Sequence, residues 1–496
     1  MNKISDVLTR GASILLASRI IVNFLTFVST IVLARFLSPA DFGLVAIAIT
    51  VMALLTAVTE MSLSNALIQQ KDVGDDLFHA AWSLGVLRGL GLAFLLGAMA
   101  YPTAHVYGDS RLAPIMLIFA CSVGVGGFAN PRMVVFVRDL DFRQSFIFAV
   151  AGKLAGVIVS LGIVYFYHSY WAIVASIFAS QATNVFTSFA IAPFKPRFSL
   201  RRASDIIGFS IWLTAGQIVG SLNWRFDQLL LGYFLGKTEL GLYTVGDNLA
   251  AMPTREAMLP LTATMFPAFS KFEQTADLAR VKLAYQKSQA IAVALTLPIG
   301  VLFASLAEPI VLLILGEKWV GAAMVVEILA VVFSAQSVGM LAQPLAMAKG
   351  KTRTIFHREL LLFVIRIPLV ALGLWLGGLF GILIARVISG GLGIYLNVRL
   401  ADQLIGFTVL QQFFSSVRPA IACVAMYLSL ISIHFPIFDS AFLSAFVLAT
   451  QMITGLCVYA VSSLLLWRLG GAADGPEAFF IERARLSFNS LRKKTF

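Results

Sequence analysis

Residues 212–243 read WLTAGQIVGSLNWRFDQLLLGYFLGKTELGLY. The stretch is apolar enough to sit in lipid, yet Asn223, Arg225 and Asp227 lie well inside it. It also repeats an earlier one. A shift of 198 positions lays residues 231–242 (LGYFLGKTELGL) on residues 33–44 (LARFLSPADFGL), and five of the twelve positions are identical. Asp41 falls opposite Glu239, a conservative exchange. The chain therefore reads as two related halves, each opening with a long apolar span, a tight acidic turn and a second span.

The same shift carries a polar stripe. Arg19, Asn23, Thr26 and Thr30 are spaced 4, 3 and 4, so they share one helical face. Their counterparts are Gln217, Ser221, Trp224 and Gln228. At about 100° per residue, Arg225 and Asp227 flank the second stripe on opposite sides. Being two apart, they do not face each other and need partners elsewhere.

Of the 496 residues 59% are hydrophobic and only 12% are charged, against about 25% charged in a soluble domain. Apolar runs of about 20 residues recur to near the C-terminus, each long enough to cross a bilayer. The expected fold is an all-α polytopic membrane protein. The first span holds Arg19 and is followed by another with no small-residue cleavage site between them, so it reads as a retained span. The net charge of +12 suggests nucleic-acid binding only at first sight. The Lys and Arg gather in loops between spans, and no nucleic-acid partner is expected.

The apolar runs predict fourteen spans: 12–36, 42–67, 80–100, 112–137, 144–166, 170–192, 206–235, 240–265, 284–306, 322–347, 359–377, 379–398, 417–435 and 440–467. One set of connections carries most of the loop Lys and Arg, and the other only Arg35, Arg111, Lys237 and Lys318. The positive-inside rule then puts both termini in the cytoplasm. The domain reading is an N-lobe at 1–193 (spans 1–6), a cytoplasmic linker at 194–205, a C-lobe at 206–400 (spans 7–12), an extra helix pair at 401–468 and a basic tail at 469–496. Six is even, so the lobes form a parallel repeat about an axis along the membrane normal. The tail either lies on anionic lipid through Phe479, Phe480, Ile481 and Leu486 or is disordered. Pro131, Pro253, Pro260, Pro344 and Pro368 fall inside spans, where proline removes a donor and kinks a helix. Such kinks serve either a bending molecule or a static one.

Eight basic residues lie within these spans: Arg19, Arg88, Arg132, Lys153, Arg225, Arg255, Arg366 and Arg386. Each would cost about 2.5–3.5 kcal/mol facing lipid at mid-bilayer. Arg88 and Arg132 are near enough to span ends to snorkel. Polar or small neighbours share faces with several charges: Thr56 and Ser64 with Glu60, Gly156 and Ser160 with Lys153, Gly390, Gly393 and Asn397 with Arg386. Ser176, Ser180, Thr183 and Thr187 line a sixth-span face. The expectation is a wet, basic cavity between the halves. Its candidate substrate-binding residues are Arg19, Asn23, Lys153, Gln217, Trp224, Arg225, Arg366 and Arg386. Glu60, Asp227 and Asp247 are candidate salt-bridge partners or sites of a coupling proton or sodium ion.

No GxSxG, P-loop or HExxH motif is present, and the loops are too short for a soluble catalytic or ATPase domain. An enzyme is not expected, nor a cofactor. Cys121, Cys423 and Cys457 stand alone in apolar segments, which argues against a disulfide framework or a metal site and reads as small buried hydrophobes.

Several stretches together resemble a known family. These are 33–43 (LARFLSPADFG), 68–72 (IQQKD), 138–143 (RDLDFR), 227–241 (DQLLLGYFLGKTELG), 266–272 (FPAFSKF) and 315–319 (LGEKW). They are similar to the Wzx-like polysaccharide-transporter flippases of the multidrug/oligosaccharidyl-lipid/polysaccharide superfamily. The likeness covers spans 1–12; beyond Leu400 it rests on helix count. It implies two six-helix lobes around a cationic cavity, working by alternating access in the bacterial inner membrane. The implied substrate is a polyprenyl-pyrophosphate-linked oligosaccharide repeat unit, moved outward for exopolysaccharide or lipopolysaccharide synthesis. Membrane lipids, and a polysaccharide polymerase and co-polymerase, are the implied partners. A multidrug cation antiporter of the same superfamily is the alternative; it would need an acidic pocket, and the first span carries Arg19 and no carboxylate.

Overall fold

The computed structural model describes residues 2–59, 67, 74–138, 141–201, 211–274, 277–432, 440–471, 475–478 and 481. Glu60, the 68–72 motif and the aromatic residues of the tail lie outside them. All regular structure among the described residues is helical. The chain divides by contacts into two compact units, Met1–Gly241 and Leu242–Phe496.

The first unit holds α1 (Asn2–Phe36), α2 (Pro39–Val58), α3 (Asp75–Val106), α4 (Leu112–Gly126), α5 (Met133–Arg138), α6 (Phe142–Tyr167), α7 (Trp171–Ile191), α8 (Ile211–Phe234) and the first turn of α9 (Gly236–Gln274). Its main pairings are α3 on α4, α6 on α7, α1 on α6 and α8 on α2. The second unit holds the rest of α9, then α10 (Leu278–Ser305), α11 (Ala307–Ile314), α12 (Gly321–Ala335), α13 (Ala342–Ala348), α14 (Thr352–Ile405), α15 (Val409–Ser432) and α16 (Ala441–Leu469). Here α10 packs on α12 and α15, and α15 on α16. The C-terminal pair is tied in by the Tyr459 hydroxyl, which donates to the Ala294 carbonyl over 2.8 Å.

Nine helices among the described residues are long and apolar enough to cross a membrane, and α4 and α12 are shorter apolar helices. The 54-residue run of α14 is two helices, broken at Gly377–Gly378 where spans 11 and 12 were expected to meet. Gly378 has φ 56° and ψ −131°, a conformation side-chain-bearing residues avoid. Large apolar side chains such as Phe94, Phe166, Phe186, Trp375 and Phe442 are more than two-thirds exposed. In water such a surface would drive association; on a bundle of bilayer-length helices it is the lipid-facing side, and the chain is a multi-pass membrane protein.

The repeat has a physical form. Ser38 caps α2, with Pro39 in the first turn and Asp41 returning a bond to the cap backbone. In the second copy Gly236, at φ 84°, takes the position of Ser38. The two turns pack against each other reciprocally. A Cβ on Gly43 would lie 1.7 Å from the Lys237 carbonyl oxygen, and one on Gly241 would lie 1.8 Å from that of Pro39. These are equivalent positions under the 198-residue shift, so each copy's glycine receives the other copy's backbone. The fourth span repeats as well, at a larger offset of 209. Leu112–Gly126 and Gly321–Ala335 are both 15 residues long and both stop short, followed by the short helices Met133–Arg138 and Ala342–Ala348.

Repeat and packing divide the chain differently. By sequence α8 opens the second half. By contact it lies with the first unit, because Thr50 of α2 donates to Gln228 of α8 over 2.9 Å and Tyr107 donates to the Leu229 carbonyl over 3.1 Å.

One expectation needs correction, that of the cysteines. The prolines take different places in the helices. Pro253, Pro260 and Pro267 sit inside the continuous α9 and Pro368 inside α14, whereas the breaks fall beside Pro131 and before Pro344. Of the cysteines only Cys423 is buried; Cys121 and Cys457 are exposed on their helices. The start of the tail turns back on α16, where the Ser463 hydroxyl donates to buried Glu477 over 3.0 Å.

Candidate functional site

The candidate residues of the first unit lie on three helices. Arg19 is exposed and Asn23 half-buried on α1. Farther along that face, Thr26 and Thr30 donate to the carbonyls of Val22 and Thr26, four residues back, which satisfies them within their own helix. Lys153 is half-buried on α6. Its neighbours on that face serve packing. Gly156 meets the Ser176 backbone and Ser180, and the Ser160 hydroxyl is 3.3 Å from that of Ser29 on α1. Small residues allow such close approach inside a membrane. On α8, Gln217 and Trp224 are exposed, Arg225 is half-buried, and Asn223, Asp227 and Gln228 are buried.

In the second unit the structure brings two candidates together across 139 positions. The Arg386 Nη2 of α14 lies 3.2 Å from Asp247 Oδ1 of α9. Arg386 is only 4% exposed, and its guanidinium carbon sits 5.4 Å from the centre of the Phe333 ring. The pairing and the ring face both offset the solvation the guanidinium loses on burial. Gly390, one turn on, packs against Val332 and Gln336. Arg366 is half-buried, nearer the start of α14. Glu60 lies outside the described residues.

Sequence reasoning passed over Arg88, taking it for a snorkelling residue. The structure points it inward. Its Nη2 donates to the Thr56 carbonyl over 3.3 Å and its Nε approaches the Thr59 hydroxyl at 3.5 Å, at the C-terminal end of α2. A cation there meets the last carbonyls and the negative end of the helix dipole. Beside it lies an open cleft of about 460 Å³ lined by α2, α3, α4, α5 and α7. Gly85, Gly89, Gly126 and Gly127 form much of its wall, with Ser122 and Gln181 as polar groups. The glycines let α3 and the end of α4 touch: a Cβ on Gly89 would lie 2.7 Å from Gly127 Cα. The signal was present in residues 85–91, GVLRGLG, where an arginine sits among glycines at helical spacing. The other passed-over cation, Arg132, pairs with Asp75 and lies over Phe78 and Phe194. Among the described residues no His, Cys, Asp or Glu cluster could hold a metal ion.

Comparison with known proteins follows the same lines. The succinoglycan biosynthesis transport protein ExoT of Rhizobium meliloti is 24% identical over 60% of this chain and 60% of its own length, so the match spans less than two thirds of that relative. The lipopolysaccharide biosynthesis protein WzxC of Escherichia coli is 23% identical over 78% of this chain and 80% of its length. Among solved structures, the lipid II flippase MurJ in an inward closed conformation aligns with a TM-score of 0.73 at 14% identity, over 92% of this chain and 99% of that one. That likeness is one of fold. The family model described as "Polysaccharide biosynthesis protein" matches residues 32–324, more than half of the chain, and the chain belongs to that family.

Proposed function

We propose that the protein is a flippase that carries a polyprenyl-pyrophosphate-linked oligosaccharide repeat unit across the bacterial inner membrane by alternating access, for exopolysaccharide or lipopolysaccharide synthesis. The observation that carries this reading is the family membership of a multi-pass chain whose helices carry Arg19, Lys153, Arg225, Arg366 and Arg386. The names of the relatives, transport in succinoglycan synthesis and lipopolysaccharide synthesis, support it over multidrug antiport.

The chemistry is that of an anion taken through a low-dielectric region. A pyrophosphate bears strong negative charge, and guanidinium offers bidentate donors without titrating away. Arg19 and Arg225, with Asn23, Gln217 and Trp224, are the contacts proposed for headgroup and sugars, joined by Lys153 and Arg366. Arg386 joins them only by leaving Asp247, so that pair stands as a candidate for coupling headgroup binding to a change of state. Asp227 is the other coupling candidate in this reading. Both termini are assigned to the cytoplasm, and a polymerase and co-polymerase are the proposed partners.

The deciding experiment deletes the gene in its own host and analyses the lipid-linked sugar. Loss of polymer with repeat unit held in the inner leaflet is expected. Unchanged polymer with altered efflux of cationic dyes would sink the reading. The Arg19→Ala/Arg225→Ala double variant should insert normally and export nothing; wild-type export would remove both residues from the path.

A further inference from the structure

Both ends of the Gln289 amide, the Tyr285 hydroxyl and Gln412 Oε1 are buried in the second unit without a hydrogen-bond partner in the protein. All three side chains are fully withdrawn from solvent. Tyr285 and Gln289 stand one turn apart on α10 and so share a face, while Gln412 stands on α15. Buried polar groups are met by a partner in nearly all proteins, from the chain itself or from ordered water.

The packing brings the three together. Val293 continues the α10 face one turn beyond Gln289. On one side of Gln289, the Tyr285 ring lies 6.1 Å from that of Phe407. On the other, Val293 packs in one cluster with Val398 of α14 and Val409 of α15. The Gln412 amide bridges the same two places: its Nε2 donates to the Phe407 carbonyl over 2.6 Å and to the Val398 carbonyl over 2.9 Å. Gln289 thus lies between the residues that touch Phe407 and Val398, and the Gln412 amide between Phe407 and Val398 themselves. The two amides face each other across the joint of α10, α14 and α15.

The hydrogen-bond chemistry of this joint is narrow. Two carbonyls can be met only by the amide nitrogen of Gln412, so its oxygen is turned away from them and needs a donor. Gln289 brings donors and an acceptor, and the Tyr285 hydroxyl can do either. None of these atoms bonds another directly. A small ligand that both donates and accepts satisfies them, which describes water. The three oxygens are neutral. Lys282, three residues before Tyr285, also brings a positive charge to this side of α10, where it donates to the Gly406 carbonyl over 2.6 Å. Neutral ligands beside a cation favour water over a metal ion.

We propose that Tyr285, Gln289 and Gln412 form an internal water-binding site, and that its water is a polar link between α10 and the start of α15. The C-terminal helix pair is then held to α10 partly through an exchangeable ligand, beside the direct Tyr459 bond to Ala294. Nothing in the site depends on what the protein transports.

X-ray radiolytic footprinting of the full-length protein in nanodiscs, read by mass spectrometry, tests this. Radiolysis of a bound water oxidises the side chain beside it even where bulk solvent does not reach. After correction for intrinsic reactivity, Tyr285 should be oxidised at least about tenfold faster than Phe119, which is equally buried. Gln289→Met removes the amide at similar length and should slow oxidation of Tyr285 about tenfold. Loosened packing alone would speed it. Tyr285→Phe keeps the ring and removes the hydroxyl, so in thermal unfolding its loss and that of Gln289→Met should fail to add. The rate at Tyr285 in the native protein decides the matter by itself if Gln289→Met does not fold. Oxidation of Tyr285 no faster than that of Phe119, unchanged or faster oxidation in Gln289→Met, or additive losses would overturn the proposal. A rise in unfolding temperature with sodium, absent with choline and abolished by Gln289→Met, would make this a cation site and overturn it equally.

Discussion

At the scale of the residue, what a charge costs depends on what it faces. Arg386 and Asp247 are both largely withdrawn from solvent and 3.2 Å apart. Removing one partner takes a close ion pair from a largely buried charge, at a cost of up to about 3–5 kcal/mol, whereas replacing both with apolar groups of similar volume is far better tolerated. Asp247→Ala should therefore lower unfolding stability in detergent much more than the Asp247→Leu/Arg386→Met double variant. Equal losses would show that the pair contributes little to folding.

Asp109, in the loop before α4, is a milder case. Arg111 donates to it over 2.7 and 3.0 Å and Lys237 over 2.9 Å. These bonds hold its carboxyl well below the usual carboxylate range, the Arg111 side-chain bond most of all, with partial burial working the other way. The folded value lies below the unfolded one of about 3.9, so folding favours the charged form. That contribution is complete above the unfolded value and is lost as pH falls through the folded one. Arg111 and Lys237 are about two-fifths exposed, so solvent screening leaves at most about 1 kcal/mol. Asp109→Asn should cost that much, with no pH dependence between about pH 5 and 8, as followed by thermal unfolding across pH.

At the scale of the element, the reciprocal glycines are the most constrained contact between the two copies of the repeat. Alanine at Gly43 or Gly241 places a methyl inside a backbone carbonyl rather than against a movable side chain. The starts of α2 and α9 would have to separate, costing about 1–3 kcal/mol or more. Gly43→Ala and Gly241→Ala should each impair folding or export, and by similar amounts because their environments are equivalent. Gly162→Ala on α6, where a Cβ meets nothing within 4 Å, should be silent. A silent Gly43→Ala in an export assay would mean that this contact is not needed in the working cycle. The polar stripes teach a related lesson at this scale. Spacing alone assigned Gly156, Ser160 and Ser176 to a wet face, but they bring α1, α6 and α7 into close contact.

At the scale of the whole molecule, the charge distribution predicts an orientation that can be measured. Alkaline phosphatase fused within residues 107–111 should be active, and fused after Gly471 inactive, because the loop between the third and fourth spans is assigned outside and the C-terminus inside. The opposite pattern would turn the chain over.

The membrane class, the repeat and the turn between spans 11 and 12 were legible in the one-dimensional pattern. Apolar length, helical spacing and glycine placement are local quantities that the backbone must obey wherever the segment ends up. The breaks after Gly126 and Ala335 were not legible, since Pro253 and Pro260 are stronger written signals and yet leave α9 continuous. Nor could the sequence say which cations meet which partners. Arg386 finds Asp247 139 positions away, and Arg88 acquires a cleft beside it only when α2, α3, α4, α5 and α7 assemble. A charged side chain is placed by whatever long-range packing leaves beside it, and that is decided only by the tertiary structure.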